Sequence, residues 1–245
     1  MVRAILFDLD GTLLDVNMDV FLKKYFQTLV SFMNNYMSGD IFLKKLLAAT
    51  EAMIQDKNAK KTNRDIFFAH FFADSDFTPQ ELMPVFDRFY REEFDQLSKY
   101  TEVKAGAWEL IQSSQDLGFD TVIATNPVFP EIAIRKRLKW AGIDSFTYSL
   151  VTSYEHMHFC KPWIEYYEEI LHKLGRKPEE CLMVGNDMED DMVAGKMGIV
   201  TFLNDDTVVC KNDNPITPDY RGSLEDVKNM LYSLRERREA KGSEG

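Results

Sequence analysis

Cysteine is scarce in this chain: three in 245 residues. Cys160, Cys181 and Cys210 are too scattered for a disulfide framework and lack the paired spacing of a zinc site. Long apolar runs are missing as well. No stretch approaches the roughly 18 consecutive apolar residues that cross a bilayer. The first residues carry no charged segment followed by a long apolar one, so neither a membrane span nor a secretory signal is expected. Positive charge is in deficit, with 29 Lys and Arg against 40 Asp and Glu, a net charge of −11. That balance argues against nucleic acid or an anionic membrane as a main partner. It leaves phosphate esters open, because a bound cation inverts the local field. A reducing, cytoplasmic setting is the expectation. What is present is an ordinary apolar share, 45%, in a chain long enough for one large domain or two small ones.

Two textures alternate along it. From about Val16 to Tyr100 the apolar residues fall at helical spacing. Phe21, Leu22, Tyr25, Phe26, Leu29, Phe32, Met33 and Tyr36 make one stripe, with Asn17 as its N-cap. A second helix follows Ser38-Gly39-Asp40, and a third covers roughly Asn63 to Ala73. A fourth opens at Thr78-Pro79-Gln80-Glu81, a capping box with Pro at the first helical position, and Pro84 is placed to kink it. Four antiparallel helices with an aromatic interior make a small bundle. The remainder alternates strand and helix. Strands are predicted at Arg3–Asp8, Asp120–Thr125, Phe146–Val151, Cys181–Gly185 and Ile199–Leu203. Helices are predicted at Ala105–Leu117, Glu131–Trp140, Trp163–Leu174 and Asp190–Met197, each closed by a glycine. This is the pattern of an α/β, Rossmann-like parallel sheet with helices on both faces. The expected division is a core at 1–15 and 101–234, an inserted α-helical cap at 16–100, and a flexible tail at 235–245.

Four short stretches end strands or follow them, and such a sheet would bring them to one edge. The first is Asp8-Leu9-Asp10-Gly11-Thr12. Carboxylates at i and i+2 of an extended chain point the same way, and charges near a core need a partner or a metal. The second is Thr125-Asn126, the third Lys161, the fourth Gly185-Asn186-Asp187 with Asp190 and Asp191. Phosphoryl transfer through an aspartyl-phosphate needs this set. Asp8 attacks phosphorus. Asp10 protonates the leaving oxygen and then deprotonates water. Thr125, Asn126 and the backbone N–H groups after Asp8, beginning at Leu9, hold the equatorial oxygens. Lys161 and a hard cation such as Mg²⁺, held by carboxylates and water, neutralise the dianion.

These residues resemble the haloacid dehalogenase superfamily. Asp8-Leu9-Asp10-Gly11-Thr12 looks like its first motif, DxDGT; Thr125, Lys161-Pro162 and Gly185–Asp191 look like the second, third and fourth. Pro218-Asp219-Tyr220 is also similar to late family sequence, so the resemblance spans nearly the whole chain. It implies a Rossmann-like core, Asp8 as nucleophile, Asp10 as acid and base, and Mg²⁺ as cofactor with Asp8, Asp10 and Asp187 as its ligands. A helical cap between motifs one and two matches one subgroup. One position departs from the pattern. Asn186 stands where the fourth motif usually has Asp, so Asp187 is expected to hold the metal with Asp191 behind it, Asp190 being the alternative.

The expected function is hydrolysis of a small phosphorylated metabolite. A phosphomutase is the alternative, disfavoured by Thr12, since mutases resembling this subgroup more often carry another residue there. Dehalogenase and phosphonate-cleaving branches are not expected to keep an acid at the Asp10 position. A non-catalytic binding protein fits less well with an intact set. His156 and His158 lack a metal-binding framework, and Cys160 is expected to be inert. Lys57, Lys60, Lys61 and Arg64 form a basic turn, read first as a solvated connection and second as an anchor for a distal anionic group.

Overall fold

The computed structural model describes residues 1–213 and 215–242. In chain order the regular elements are β1 (Ala4–Phe7), β2 (Leu14–Val16), α1 (Met18–Met33), α2 (Gly39–Gln55), α3 (Asn63–Phe71), α4 (Pro79–Arg88), β3 (Thr101–Val103), α5 (Ala107–Asp116), β4 (Asp120–Ile123), α6 (Glu131–Trp140), β5 (Leu150–Val151), α7 (Ile164–Leu174), β6 (Cys181–Gly185), β7 (Val200–Asn204), β8 (Tyr220–Gly222) and α8 (Leu224–Gly242).

Six of the strands form one sheet in the order β5-β4-β1-β6-β7-β8, every neighbouring pair parallel. This is the α/β, Rossmann-like parallel-sheet fold that the alternation predicts. β1 shows why its sequence is apolar throughout. Ala4, Ile5, Leu6 and Phe7 are all fully buried, because a parallel sheet is covered on both faces. The period of two sorts them. Ile5 and Phe7 join a core with Ile111, Leu138 and Val227, from α5, α6 and α8. Ala4 and Leu6 join a second core with Tyr166, Ile170 and Val193 on the opposite face.

The four helices α1 to α4 lie where the periodicity places them, between β2 and β3. Asn17 Oδ1 caps α1 by accepting from Val20 N at 3.1 Å. Glu81 Oε2 accepts from Thr78 N at 2.8 Å at the start of α4. Beyond α4 the chain runs through a wide π-helical turn at Phe89–Glu93 and a 3₁₀ segment at Phe94–Tyr100, where a single α-helix reaching Leu97 is predicted. The aromatic stripe packs as core: Phe94 stacks on Trp140 of α6 at 5.2 Å between ring centroids, and Tyr25 meets Phe129 edge-on at 5.3 Å. These rings belong to the same apolar cluster as Ile5 and Phe7. Among the described residues no helix is long and apolar enough to cross a membrane.

Several elements differ from the expectation. β2 and β3 form a short antiparallel pair, Leu14 opposite Val103 and Val16 opposite Thr101, at the two points where the chain enters and leaves the helices. With three residues each, neither carries a readable alternation. Only Leu150–Val151 of the predicted strand 146–151 pairs in the sheet, because β5 is the edge and meets β4 at two positions. β8 escapes periodicity because two of its three residues are exposed. The predicted helix Asp190–Met197 is a 3₁₀ segment over Met192–Met197. The flexible tail predicted from Arg235 is instead helical to Gly242. Arg235 pairs with Glu239 at 2.7 Å and donates to Leu117 O at 3.2 Å, which fastens the last turns to the end of α5. Residues 243–245 of that expectation lie outside the described residues.

Candidate active site

Strand order reverses at β1, with β4 on one side and β6 on the other. A crevice opens at the carboxyl ends of strands at such a reversal. Asp8 follows β1, Thr125 and Asn126 follow β4, and Asn186 and Asp187 follow β6. A cavity of about 770 Å³ lies there, lined by Asp8, Asp10, Thr125, Asn126, Lys161, Asn186, Asp187, Asp190 and Asp191. The carboxylates, hydroxyl, amides and amine drawn from the four motifs at Asp8, Asp10, Thr125, Asn126, Lys161, Asn186, Asp187, Asp190 and Asp191 therefore face one space, while Leu9, Thr12 and Gly185 are not in its lining. Leu9 is fully buried, and its carbonyl accepts from Thr12, Leu13 and Leu14 N, which curls the chain back after Asp8.

The nucleophile candidate is held on both oxygens. Lys161 Nζ donates to Asp8 Oδ1 at 2.9 Å, and Thr12 Oγ1 donates to Asp8 Oδ2 at 3.2 Å. The same Lys161 Nζ donates to Asp191 Oδ1 at 2.6 Å, so one buried ammonium serves two carboxylates. Burial alone would lower the Lys161 pKa, but Asp191 and Asp8 outweigh it and hold the ammonium charged. Burial pushes Asp191 up, with Lys161 opposing. Asp191 Oδ2 also accepts from Asp187 N at 3.0 Å, which shapes the loop after β6. Thr125 is positioned through its backbone: Thr152 Oγ1 and Tyr166 Oη donate to its carbonyl at 2.6 and 2.9 Å. Asn126 Oδ1 accepts from Lys161 N at 3.2 Å, so this side chain ties the second motif to the third.

Gly185 is required by Asp191. A Cβ there would lie 2.0 Å from Asp191 Oδ2. Gly185→Ala is therefore expected to push Asp191 off Lys161 and lower kcat/KM on p-nitrophenyl phosphate by about 100-fold, the scale of a 1 Å misplacement. Steady-state kinetics beside a melting curve would check this.

Asn186 and Asp187, adjacent in sequence, face different partners. Asn186 is buried against the first motif. Its Oδ1 accepts from Thr12 Oγ1 at 3.3 Å and its Nδ2 donates to Thr207 O at 2.7 Å. Asp187 Oδ1 accepts from the N–H groups of Glu189 and Asp190 at 2.9 and 2.8 Å, and its Oδ2 accepts from Lys211 Nζ at 2.8 Å. Burial would raise its pKa, but the Asp190 N–H, Lys211 and the Glu189 N–H hold this carboxyl below its usual range. Asp190 is pushed up by burial and by the Asp187 charge.

Asp10 has a partner that no motif announces. Arg137 Nη1 pairs with Asp10 Oδ2, while Asp10 Oδ1 is buried without a hydrogen-bond partner among the described residues. Burial raises the Asp10 pKa, Arg137 opposes, and the Asp8 charge adds to the rise. The signal for Arg137 lay in the periodicity of α6. The buried residues of that helix are Ala133, Ile134, Arg137 and Leu138, so an arginine occupies a core position of an apolar stripe. Thr207, which donates to Gly11 O, and Lys211 likewise carry no motif.

The ionisable lining suits a hard divalent cation. Asp8, Asp10, Asp187 and Asp190 offer only oxygen, which favours Mg²⁺ or Ca²⁺ over softer metals. Among the described residues no three His, Cys, Asp or Glu side chains already stand at metal-binding spacing. Mg²⁺ ordinarily takes one or two carboxylates and completes its shell with water and substrate oxygens, so the set fits that habit.

The other candidates are accounted for elsewhere. His156 Nε2 and His158 Nδ1 meet Glu131 and Glu169 at 3.0 and 2.8 Å. Cys160 is buried and its thiol pKa is pushed up by burial, as an inert cysteine requires. Lys57 pairs with Glu165 at 2.7 Å and lies 3.9 Å over the Trp163 ring. Neither it nor Lys60, Lys61 or Arg64 lines the cavity of Asp8.

Known proteins resemble this chain in sequence and in fold. Pyrophosphatase PpaX from Anoxybacillus flavithermus is 29% identical over 195 residues, covering 80% of this chain and 79% of that protein. The HAD-hydrolase YfnB from Bacillus subtilis, solved bound to magnesium, superposes with a TM-score of 0.56 at 20% identity, covering 94% of this chain and 98% of the other. L-2-haloacid dehalogenase from Xanthobacter autotrophicus, with chloropropionic acid covalently bound, gives a TM-score of 0.56 at 13% identity, covering 95% and 99%. At these identities the two structures share the fold alone. The model of the haloacid dehalogenase-like hydrolases matches residues 2–198. With the motifs in order and on one cavity, this chain belongs to the haloacid dehalogenase-like hydrolase family.

Proposed function

We propose that the protein is a Mg²⁺-dependent phosphatase acting on a small phosphorylated metabolite through an aspartyl-phosphate on Asp8. The observation that carries this reading is the retention of a second acid, Asp10, on the same cavity wall as Asp8, with Lys161 2.9 Å from Asp8. A dehalogenase needs a nucleophile but no acid for a halide, whereas an alkoxide or phosphate leaving group needs a proton. The relative named as a pyrophosphatase supports phosphorus chemistry.

Asp8 attacks phosphorus in line and displaces the leaving oxygen, which takes the proton of Asp10. Asp10 then removes a proton from water, which attacks the phosphorus and frees Asp8. Lys161 keeps positive charge against the attacking carboxylate. Thr125, Asn126 and the backbone from Leu9 onward hold the equatorial oxygens. Asp8, Asp10 and Asp187 would hold Mg²⁺, one or two of them directly and the rest through water, with Asp191 and Asp190 behind them, and the ion would supply charge neutralisation for the phosphoryl group. The helices between Val16 and Tyr100 act as a cap over the core of residues 1–15 and 101–234. They contribute Met18, Asp19 and Leu22 to the cavity wall.

Purified protein with Mg²⁺ is expected to release phosphate from p-nitrophenyl phosphate, and chelation followed by Mg²⁺ return should abolish and restore it. Metal-loaded, folded protein inert toward a panel of phosphate monoesters and pyrophosphate would remove this reading. An isomerised sugar phosphate without free phosphate would replace it with a mutase.

A further inference from the structure

Two cations flank the paired carboxylates, and only one is accounted for by the phosphoryl group. Lys161 stands at Asp8, where phosphorus would be attacked. Arg137 stands at Asp10, where the leaving oxygen would collect its proton. The Arg137 side chain is 1% exposed and lines the cavity. Its Nε and Nη2 have no hydrogen-bond partner among the described residues. A guanidinium presents five N–H donors in a rigid fork and does not give up its proton. Asp10 takes one arm of that fork. The ring of Phe129, 4.6 Å from the guanidinium carbon, covers a face and accepts no in-plane hydrogen bond.

A buried arginine with two unused nitrogens is costly unless a ligand completes it. The same cavity is lined by Val128, Phe129, Met18 and Leu22 as well as by Asp15 and Asp19. With its side chain 1% exposed, the guanidinium would hold an anion more strongly than it would in water. The fork matches a carboxylate or a phosphate.

We infer that Arg137 binds a leaving group that is itself anionic, so that the preferred substrates carry a carboxylate or second phosphate close to the scissile oxygen. This rests on the phosphatase reading and deepens it. Arg137 is then a specificity determinant, reading the part of the substrate that departs while Lys161 reads the part that stays.

The test compares two esters of similar size, 2-hydroxyethyl phosphate and phosphoglycolate, and adds inorganic pyrophosphate, using wild type and Arg137→Gln with Mg²⁺. Wild type is expected to show kcat/KM at least about 10-fold higher for phosphoglycolate or pyrophosphate than for the neutral ester, the low end of what one lost charged contact removes. Arg137→Gln should bring that ratio close to one. A merely structural loss would lower both rates together and leave the ratio intact. A second readout is binding: methylenediphosphonate, which cannot be hydrolysed, should raise the melting temperature of wild type more than that of Arg137→Gln. A carboxylate preference and a diphosphate preference both support the inference and identify the anion. A ratio unchanged by the substitution, together with equal thermal shifts, overturns it. If wild type hydrolyses p-nitrophenyl phosphate but none of the three, the inference is overturned; if it is inert toward p-nitrophenyl phosphate as well, the phosphatase reading fails instead, and the thermal shift still decides whether Arg137 holds an anion.

Discussion

Asp8→Asn is expected to lower turnover of p-nitrophenyl phosphate by about 10⁴-fold or more, the scale at which loss of a nucleophile is felt. The carboxamide keeps the shape of Asp8 and can still face Lys161, 2.9 Å from the present Oδ1, but it cannot form the acyl phosphate. Stability should be unchanged or higher. The Asp8 charge works against its neighbours, since it raises the pKa of both Asp10 and Asp191, and removing it relieves that repulsion. Kinetics and a melting curve on one preparation separate the two effects. An Asp8→Asn protein retaining a tenth of wild-type turnover would remove Asp8 as the attacking group.

Lys161→Met should be damaging in a different way, destabilising the chain by about 3–5 kcal/mol, the cost of leaving a buried charge unpaired. Its side chain is 1% exposed and its ammonium contacts Asp8 and Asp191 at once. Without it neither carboxylate has a cation in hydrogen-bond contact among the described residues, their other partners being Thr12 Oγ1 and the Asp187 N–H. The pH dependence has a definite sign. Burial already raises the Asp191 pKa above its unfolded value, and loss of Lys161 raises it further. From about pH 4 upward the unfolded chain has released a proton that the folded variant still holds. The stability is therefore full in acid and is lost as pH rises toward the folded pKa of Asp191. The melting-temperature gap between wild type and Lys161→Met should accordingly be smaller at pH 5 than at pH 8. Adding Asp191→Asn should recover part of the stability by removing one unpaired charge. It should not recover activity, because the ammonium that offsets the charge of Asp8 against an incoming dianion would still be missing. A pH-independent gap would mean that Lys161 contributes packing and not charge.

The legibility of the fold followed burial. β6 at Cys181–Gly185 and α6 at Glu131–Trp140 are found with the bounds that the sequence predicts. One is a wholly buried apolar run and the other a helix with Pro130 before it and a glycine beyond it. Gly198, at φ +89°, ends the segment Met192–Met197 where a left-handed cap is expected. The failures lie where tertiary pairing overrides local pattern. β2, β3 and β8 have three residues each and exist because another strand is beside them. The turn after Asp191 tightens into 3₁₀ geometry while the Asp191 side chain folds back under Gly185 to reach Lys161.

By itself the sequence determined the order of chemistry along the chain: a buried strand ending in two carboxylates, then a hydroxyl, an amine and an acidic turn, with helices inserted after the first. These are local facts, each set by residue type and a period of two or 3.6. Only the tertiary structure decided which charges meet. It joined Lys161 to Asp8 and Asp191, turned Asn186 toward Thr12, and drew the basic turn at Lys57 to Glu165 and away from the Asp8 cavity. It also brought Arg137, 127 residues from Asp10 in sequence, into the wall beside it. Periodicity says that a residue is on the buried side of a helix; it does not say what lies opposite. That depends on the parallel order β4-β1-β6, which sets the loops of three distant strands around one cavity.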